Sequence, residues 1–402
     1  MDNGGFFPET DDYQDQAWFL MQSMVVLGTD AVGVSEKELR YGRAFLLANA
    51  KQSRLPLVCA NLIDKTTNKT LVAPYVLKKV GNVTVGIFGL TSDKADLGPA
   101  RDSVAVDDPT VAGRRVIAEM RKKGASVIVL LSQLGKIESE DYVTAVDSID
   151  VVICGRAVPL LQKGRMVKNT IACYGGEQGQ YLGRTIVNLD AHGRMVTADN
   201  ETALLGPEVG ERADILALVK SFEDSFNDKL RKREKEKALQ DEAKRASGAS
   251  GASGPTDQAQ DHYVGGDICQ RCHKAEYDQW KTTKHAQAWQ TLVDAKKDAN
   301  ADCIGCHVAG YKKPGGFQTG EDAARLGNVQ CENCHGMGTL HDASVAATKK
   351  LTAETCQKCH TSNTSPTFDF SVYEPHILHH VPANMPPLPK SQARERMLGT
   401  GK

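Results

Sequence analysis

The pattern Cys-x-x-Cys-His occurs four times in the last third of this 402-residue chain. Its copies are Cys269, Cys272 and His273; Cys303, Cys306 and His307; Cys331, Cys334 and His335; and Cys356, Cys359 and His360. Two thiols at this spacing can add to the two vinyl groups of a porphyrin, and the histidine that follows places an imidazole beneath the iron. Each copy therefore predicts the covalent attachment of one haem c, four in all.

Structural zinc is the alternative, because paired Cys-x-x-Cys units could also supply two tetrahedral thiolate sites. Zinc does not require a histidine directly after every second cysteine, whereas all four copies have one. The region 261–402 contains no further cysteine. The pattern therefore favours haem over zinc.

Charge and hydropathy exclude two other classes of partner. The chain has 49 Lys and Arg against 50 Asp and Glu, and no basic block is interleaved with aromatic residues, so nothing indicates nucleic-acid binding. The longest apolar runs, such as 127–131, have the length of a strand and predict no membrane span.

Haem attachment takes place outside the bacterial cytoplasm, so we expect an export signal and a periplasmic or extracellular location. The chain begins instead with an acidic, polar stretch that contains Asp2, Glu9, Asp11 and Asp12. We interpret this start of an exported protein as an artefact of truncation or of gene calling. A cytoplasmic protein that never receives haem is the alternative.

Residues 1–207 have the pattern of an α/β domain. Short runs rich in β-branched residues alternate with amphipathic stretches such as 110–122; the runs are 55–62, 83–90, 126–131, 151–154 and 185–189. This alternation predicts a sheet covered by helices. Cys59, Cys154 and Cys173 fall in or beside these regions without metal-type spacing, so we expect them to be buried as small apolar side chains.

Residues 208–260 are predicted to separate this domain from a second one. The segment 229–245 alternates in charge, which is typical of a solvated helix face, and 246–255 is a Gly, Ser and Ala-rich linker. Residues 261–402 are predicted to form a mainly α, irregular multihaem domain with a Pro-rich, irregular tail from Val381. Porphyrin would supply much of its apolar surface, at roughly 25 cal/mol per Å² buried, so we expect no folding without haem.

Beyond the four proximal positions, six histidines are candidates for the opposite axial positions: His262, His285, His341, His376, His379 and His380. They are sufficient for mostly bis-histidine ligation. This state suits electron transfer, because neither axial position is left open to a substrate.

Sequence context separates these candidates. The stretches YVGGDICQRCH, WKTTKHA, CIGCHVAGY, NVQCENCHGMGTLH and TCQKCH resemble the cytochrome c554 family of multihaem electron carriers over nearly all of 263–380. The resemblance implies that His285 and His341 are distal ligands and that the YEPHILH segment supplies His379, with His376 as the nearest competitor. Such cytochromes pack haems in close pairs, and some leave one haem five-coordinate. The candidates for a fourth distal ligand are His262, His380, Met337 and Met385.

The first domain resembles the metallophosphoesterase half of bacterial 5'-nucleotidases. The segments that carry this resemblance are RLPLVCANL, NVTVGIFGLTSD, ASVIVLLSQLG, SIDVVICG and GGEQGQYLGR, and the resemblance covers most of residues 1–190. It implies an α/β sandwich in which Asp, Asn and His side chains hold two metal ions that activate water.

The metal ligands that this resemblance implies are replaced. The family's first Asp-x-His element would precede Met1, its Gly-Asp element is Gly4-Gly5, and its Asn-His element is Glu36-Lys37. Its Ser-His step becomes Ser132-Gln133, and its Gly-His-x-His element becomes Gly155-Arg156-Ala157-Val158. Only Glu36 could bind a metal, and His192 lies in a turn-like Ala-His-Gly. We therefore expect a catalytically dead scaffold.

The sequence thus favours a tetrahaem electron carrier that exchanges electrons with other cytochromes or with a membrane quinol-linked complex. The first alternative is a haem oxidoreductase that acts on a small nitrogen compound at an open iron. The second is a 5'-nucleotidase-like hydrolase, which the ligand replacements disfavour.

Overall fold

The computed structural model describes residues 1–10, 13–176, 179–206, 209–246, 261–344, 351–361, 364–365 and 367–379. The chain divides into two compact units, Met1–Leu216 and Ala217–Lys402. Most of the predicted linker and the whole Pro-rich tail lie outside the described residues. In the described part, no helix has the length and apolar character needed to cross a bilayer.

The first unit is an α/β domain. Its strands are β1 Val32–Gly33, β2 Leu57–Val58, β3 Leu62–Asp64, β4 Lys69–Thr70, β5 Tyr75–Val80, β6 Val83–Thr91, β7 Val104–Val106, β8 Val127–Gln133, β9 Val151–Cys154, β10 Arg165–Val167, β11 Thr170–Tyr174, β12 Tyr181–Leu189 and β13 Met195–Leu204. Its helices are α1 Gln14–Val26, α2 Gly42–Ser53, α3 Pro109–Lys122 and α4 Lys136–Ala145, with 3₁₀ turns at Lys37–Leu39 and Gly98–Ala100.

Six of these strands form the central sheet, in the order β10-β11-β9-β8-β6-β5. The inner four are parallel, and the two edge strands are antiparallel to their neighbours. Every residue of β8 is buried, as expected for a parallel strand covered on both faces. One face packs against α3 and α4 and the other against the hairpin β12–β13, which confirms the predicted sheet with helices.

Local predictions hold for the regular elements of this unit. The runs 83–90 and 126–131 correspond to β6 and β8, 151–154 is β9, and 110–122 lies in α3. The three cysteines at 59, 154 and 173 are buried, as predicted.

The predicted strand 55–62 is wrong as a single element. It is split between β2, which pairs with β1, and β3, which pairs with β4 and β7. Strands β2 and β6 approach each other closely here, because a Cβ on Gly89 would lie 2.3 Å from the carbonyl oxygen of Val58. Because the run 55–62 is buried almost throughout, the pattern of apolar residues does not show where the hydrogen-bond partners change.

The second unit is helical in its described part. Its helices are α5 Ala213–Ala246, which begins in the last residues of the first unit, α6 Gly266–Cys269, α7 Lys274–Lys281, α8 Ala288–Asp294, α9 Ala301–Ile304, α10 Ala323–Leu326, α11 Cys331–His335, α12 Thr339–Ser344, α13 Ala353–Gln357 and α14 Phe370–Tyr373. Three 3₁₀ turns lie at Lys284–Gln287, Gly320–Asp322 and Glu374–His376. Helices this short are not stable alone in water, so those after α5 depend on tertiary contacts.

The protein core of the second unit is small. Seven buried apolar residues form its described cluster: Tyr263, Leu292, Ile304, Val308, Ala309, Phe317 and Leu326. Tyr263 packs directly on Gly310, whose φ is +63° and whose Cβ, if present, would lie 2.5 Å from the ring. The short helices thus surround little side-chain core, which agrees with a domain completed by a large apolar cofactor.

Candidate haem-binding site

The cysteines of each predicted attachment motif are held in a tight helical turn. The amide of Cys272 donates to the carbonyl of Cys269 at 3.3 Å, and the corresponding distances are 3.4 Å in the second motif and 3.1 Å in the fourth. The third motif forms helix α11. Residues three apart lie on the same side of a helical turn, so both thiols of a motif can face one porphyrin.

Three of the four motif histidines lie opposite a second histidine. The ring centroids are 6.1 Å apart for His273 and His341, 6.2 Å for His335 and His379, and 6.3 Å for His285 and His360. An iron–imidazole bond of about 2 Å, with about 1.2 Å from that nitrogen to the ring centroid, separates two axial rings by about 6 Å. The three pairs therefore have the spacing that a bis-histidine haem iron requires.

The three opposing histidines are His285, His341 and His379, which the sequence context selects as distal ligands. In the YEPHILH segment, the ring opposite His335 belongs to His379, while His376 ends a 3₁₀ turn. The carbonyl of His262 accepts from Thr339, and Met337 packs against the cluster that contains Ile304 and Val308, next to the second motif. His380 and Met385 lie outside the described residues.

Hydrogen bonds orient two of the imidazoles. His307 donates from Nδ1 to the carbonyl of Ala288 at 2.6 Å, and His379 donates from Nδ1 to Oε1 of Gln279 at 3.1 Å. In both cases the bond fixes the tautomer and leaves Nε2 available to a metal. Sequence reasoning missed Gln279, because an isolated glutamine on a short helix gives no motif signal.

Burial also favours the neutral, ligating form of His335. It lowers the pKa of this imidazole, and the neighbouring His379, His273 and His341 lower it further. These contributions indicate that the histidine pairs of the first and third motifs, His273–His341 and His335–His379, lie close together. Metal binding requires neutral imidazole, so the direction of the shift suits a ligand.

The thiols of different motifs also come together. The thiols of Cys269 and Cys331 lie close enough to shift each other's pKa, and so do those of Cys306 and Cys359. The neighbouring Cys359 thiol lowers the pKa of Cys306 to about 7. The first motif therefore neighbours the third, and the second neighbours the fourth.

Two polar side chains, Gln330 and Glu332, tie the first motif to the third. The carboxylate of Glu332 is 3% exposed and accepts from the backbone amides of Val264, Gly265 and Gly338 at 2.8 to 3.2 Å. Oε1 of Gln330 accepts from the amide of Gly266 at 2.6 Å. Glu332 stands between the two cysteines of its motif, a position whose structural role the motif pattern does not reveal.

His285, a predicted distal ligand, is positioned by the segment that leads into the third motif. Its carbonyl accepts from the amide of Val329 at 3.1 Å, and the carbonyl of Val329 accepts from Nε1 of Trp280 at 2.8 Å. Its partner His360 stacks on Phe368 with ring centroids 4.7 Å apart. Both imidazoles are thus held by surrounding structure.

In the first unit, an ion pair occupies the region where the phosphoesterase resemblance predicts metal ligands. Nε of Arg156 lies 3.1 Å from Oε1 of Glu36. Nε2 of Gln133 donates to the carbonyl of Asn3 at 2.7 Å, which commits this amide to the backbone. A Cβ on Gly5 would lie within 4 Å of both Ser35 and Gln133, so Gly5 borders the same region.

Neighbouring residues hold the surrounding loops. Glu38 is fully buried and accepts from the amides of Phe6 and Ser35, each at 2.7 Å. Lys37 pairs with Glu9 at 3.3 Å, and His192 lies exposed in a turn where its amide donates to Asp190. Among the described residues of the whole chain, no three His, Cys, Asp or Glu side chains are grouped to hold a metal ion. A haem iron needs only two axial ligands from the protein.

The two units are similar to different known proteins. A family model described as cytochrome c554 and c-prime matches residues 268–336, a range that contains the first three motifs. The fourth motif follows this range.

The first unit is similar to phosphoesterases. The 2',3'-cyclic-nucleotide 2'-phosphodiesterase/3'-nucleotidase of Salmonella typhimurium is 31% identical over 152 residues, which cover 32% of this chain and 23% of that protein. The 5'-nucleotidase of Vibrio cholerae is 27% identical over 139 residues, or 34% and 25% of the two chains. The crystal structure of a 5'-nucleotidase precursor from Thermus thermophilus superposes with a TM-score of 0.51 at 25% identity and covers 56% and 49% of the two chains.

The chain therefore joins a domain with the calcineurin-like phosphoesterase fold to a helical region that matches the cytochrome c554 family model over residues 268–336. It spans a quarter or less of the length of the two curated relatives named above. The family match implies haem c as the cofactor of the helical region.

Proposed function

We propose that the protein is a tetrahaem c-type cytochrome that carries electrons in a periplasmic or extracellular respiratory chain. The observation that carries this proposal is the set of three histidine pairs with centroids 6.1 to 6.3 Å apart. Three of the four motif histidines take part in these pairs, and each pair has the spacing of two axial ligands.

Haem, when bound, supplies an iron that gains and loses one electron without a change of ligands. The protein contributes attachment through the eight motif cysteines and axial imidazoles that surrounding hydrogen bonds and stacking hold in place. Two strong-field imidazoles close an iron to substrates and so favour electron transfer over catalysis. The proximity of the first motif to the third and of the second to the fourth supports two haem pairs suited to electron hopping.

The experiment that tests this proposal expresses the full chain with an export signal in a host that matures c-type cytochromes. Mass spectrometry should show four covalent haem additions, and a C356A/C359A variant should show three. Two or fewer haems in the parent, or bound zinc, would reject the proposal. Carbon monoxide binding to a five-coordinate ferrous haem at stoichiometric yield would favour the alternative of a haem oxidoreductase acting on a small nitrogen compound.

We further propose that the phosphoesterase-like unit is a catalytically dead scaffold. The support is the Glu36–Arg156 ion pair, together with Gly5 and the backbone-bound amide of Gln133, in the region where two metal ions would be held. A guanidinium in this region repels cations, and a carboxylate already paired with it is a weaker metal ligand.

A further inference from the structure

Helix α5 belongs to neither resemblance, although its charged half is prominent in the sequence. Glu223, Asn227 and Arg231 are spaced four residues apart and therefore share one face of the helix. Asn227 is 4% exposed, so the helix is covered at this point. The charge-alternating segment 229–245 begins just after it, and its residues 232–237 are exposed, as expected for a solvated helix face.

Three ion pairs join this face and the adjacent Asp224 to three consecutive residues of the haem-binding region. Glu223 pairs with Lys297 at 3.0 Å and Asp224 with Lys296 at 3.6 Å. Arg231 donates from both Nε and Nη2 to Oδ1 of Asp298. The Arg231–Asp298 pair is half-buried, with about a quarter of each side chain exposed.

The turn that receives these pairs leads directly to the second attachment motif. The amide of Lys297 donates to the carbonyl of Leu292, and the amide of Asn300 donates to that of Lys297. The amide of Cys303 then donates to the carbonyl of Asn300 at 3.0 Å. Helix α5 thus holds the turn that precedes the first cysteine of this motif.

The charges of Glu223 and Lys297 act on the first cysteine of the second motif. Burial raises the pKa of the Cys303 thiol, Lys297 lowers it, and Glu223 raises it. The side chain of Lys297 is only 21% exposed, so solvent screens its charge less than that of a surface lysine.

We propose that helix α5 is a structural part of the haem unit and that Glu223 and Lys297 set the reduction potential of the haem attached at Cys303 and Cys306. This inference rests on the proposed function. A negative charge near an iron stabilises its ferric form and a positive charge stabilises the ferrous form, so the two residues oppose each other.

The test is a spectroelectrochemical titration of the full-length holoprotein in four forms: the parent, E223Q, K297Q and E223Q/K297Q. At a fixed electrode potential, E223Q should raise the reduced fraction of one haem several-fold, and K297Q should lower it by a similar factor. The double variant should return close to the parent, because the removed charges cancel. E234Q, on an exposed position of the same helix, is the matched control and should leave all potentials unchanged.

Shifts of E223Q and K297Q in the same direction, or no shift in either, would overturn the inference. Disruption of packing alone would predict that the double variant departs furthest from the parent. Failure of the proposed function is distinguishable, because the parent would then carry no set of covalently bound, redox-active haems to titrate.

Discussion

His379 donates a hydrogen bond from Nδ1 to Oε1 of Gln279 at 3.1 Å, while its ring faces that of His335 with centroids 6.2 Å apart. Gln279 lies on helix α7, which begins directly after His273 and ends just before the turn that carries His285. One short helix therefore adjoins or contacts a histidine from each of the three pairs. Its placement therefore bears on the positions of all three pairs.

The variants Q279L and Q279E should move the potential of one haem in opposite directions. Leucine removes the acceptor, which makes the imidazole of His379 a weaker donor to ferric iron and raises the potential. Glutamate strengthens the acceptor and lowers the potential. Redox titration followed by optical spectra measures both shifts, and equal shifts in both variants would contradict an orienting role for Gln279.

The variants H285A, H341A and H379A should each convert one low-spin haem towards high spin. The strong field of an imidazole is lost in each case, and water or no ligand replaces it. Electron paramagnetic resonance of the three single variants measures the change, and H376A serves as the control that should resemble the parent. A variant that keeps the parent's low-spin signals undiminished would show that its histidine is not a ligand.

The variant E332A should destabilise the second unit by about 3 kcal/mol or more. It leaves the amides of Val264, Gly265 and Gly338 without the buried carboxylate that accepts from them, and each lost bond to a charged group costs about 1.5–3 kcal/mol. Denaturant unfolding of the holoprotein, followed by haem absorbance, measures the loss. E354A, at an exposed position of α13, is the control, and equal stability of the two variants would refute the role assigned to Glu332.

The first unit should release no phosphate from nucleotides or simple phosphodiesters. The expected cause is the loss of metal ligands at Gly5, Lys37, Gln133, Arg156 and Val158. The assay uses added manganese or zinc, with the chain extended to include any upstream residues. Turnover above a blank, abolished by chelation, would establish phosphoester hydrolysis instead.

The sequence by itself predicted the attachment motifs, because the spacing of Cys-x-x-Cys-His is set within five consecutive residues. It also determined the regular part of the α/β unit, where β6, β8, β9 and α3 have strong periodicity. The split of 55–62 between two strands escaped prediction, because both pieces are buried and only their hydrogen-bond partners differ.

Only the tertiary structure decided which residues meet across long stretches of chain. The pairing of His285 with His360, the acceptance of three distant amides by Glu332, and the contact of α5 with the turn at 296–298 all join segments that no local pattern relates. Helix α5 shows the difference most clearly. Residues 232–237 of its charge-alternating segment are exposed, but Arg231 at the start of that segment and Glu223 before it form ion pairs with this turn. Charge alternation is the same in both cases, and only the positions of the opposite charges distinguish them.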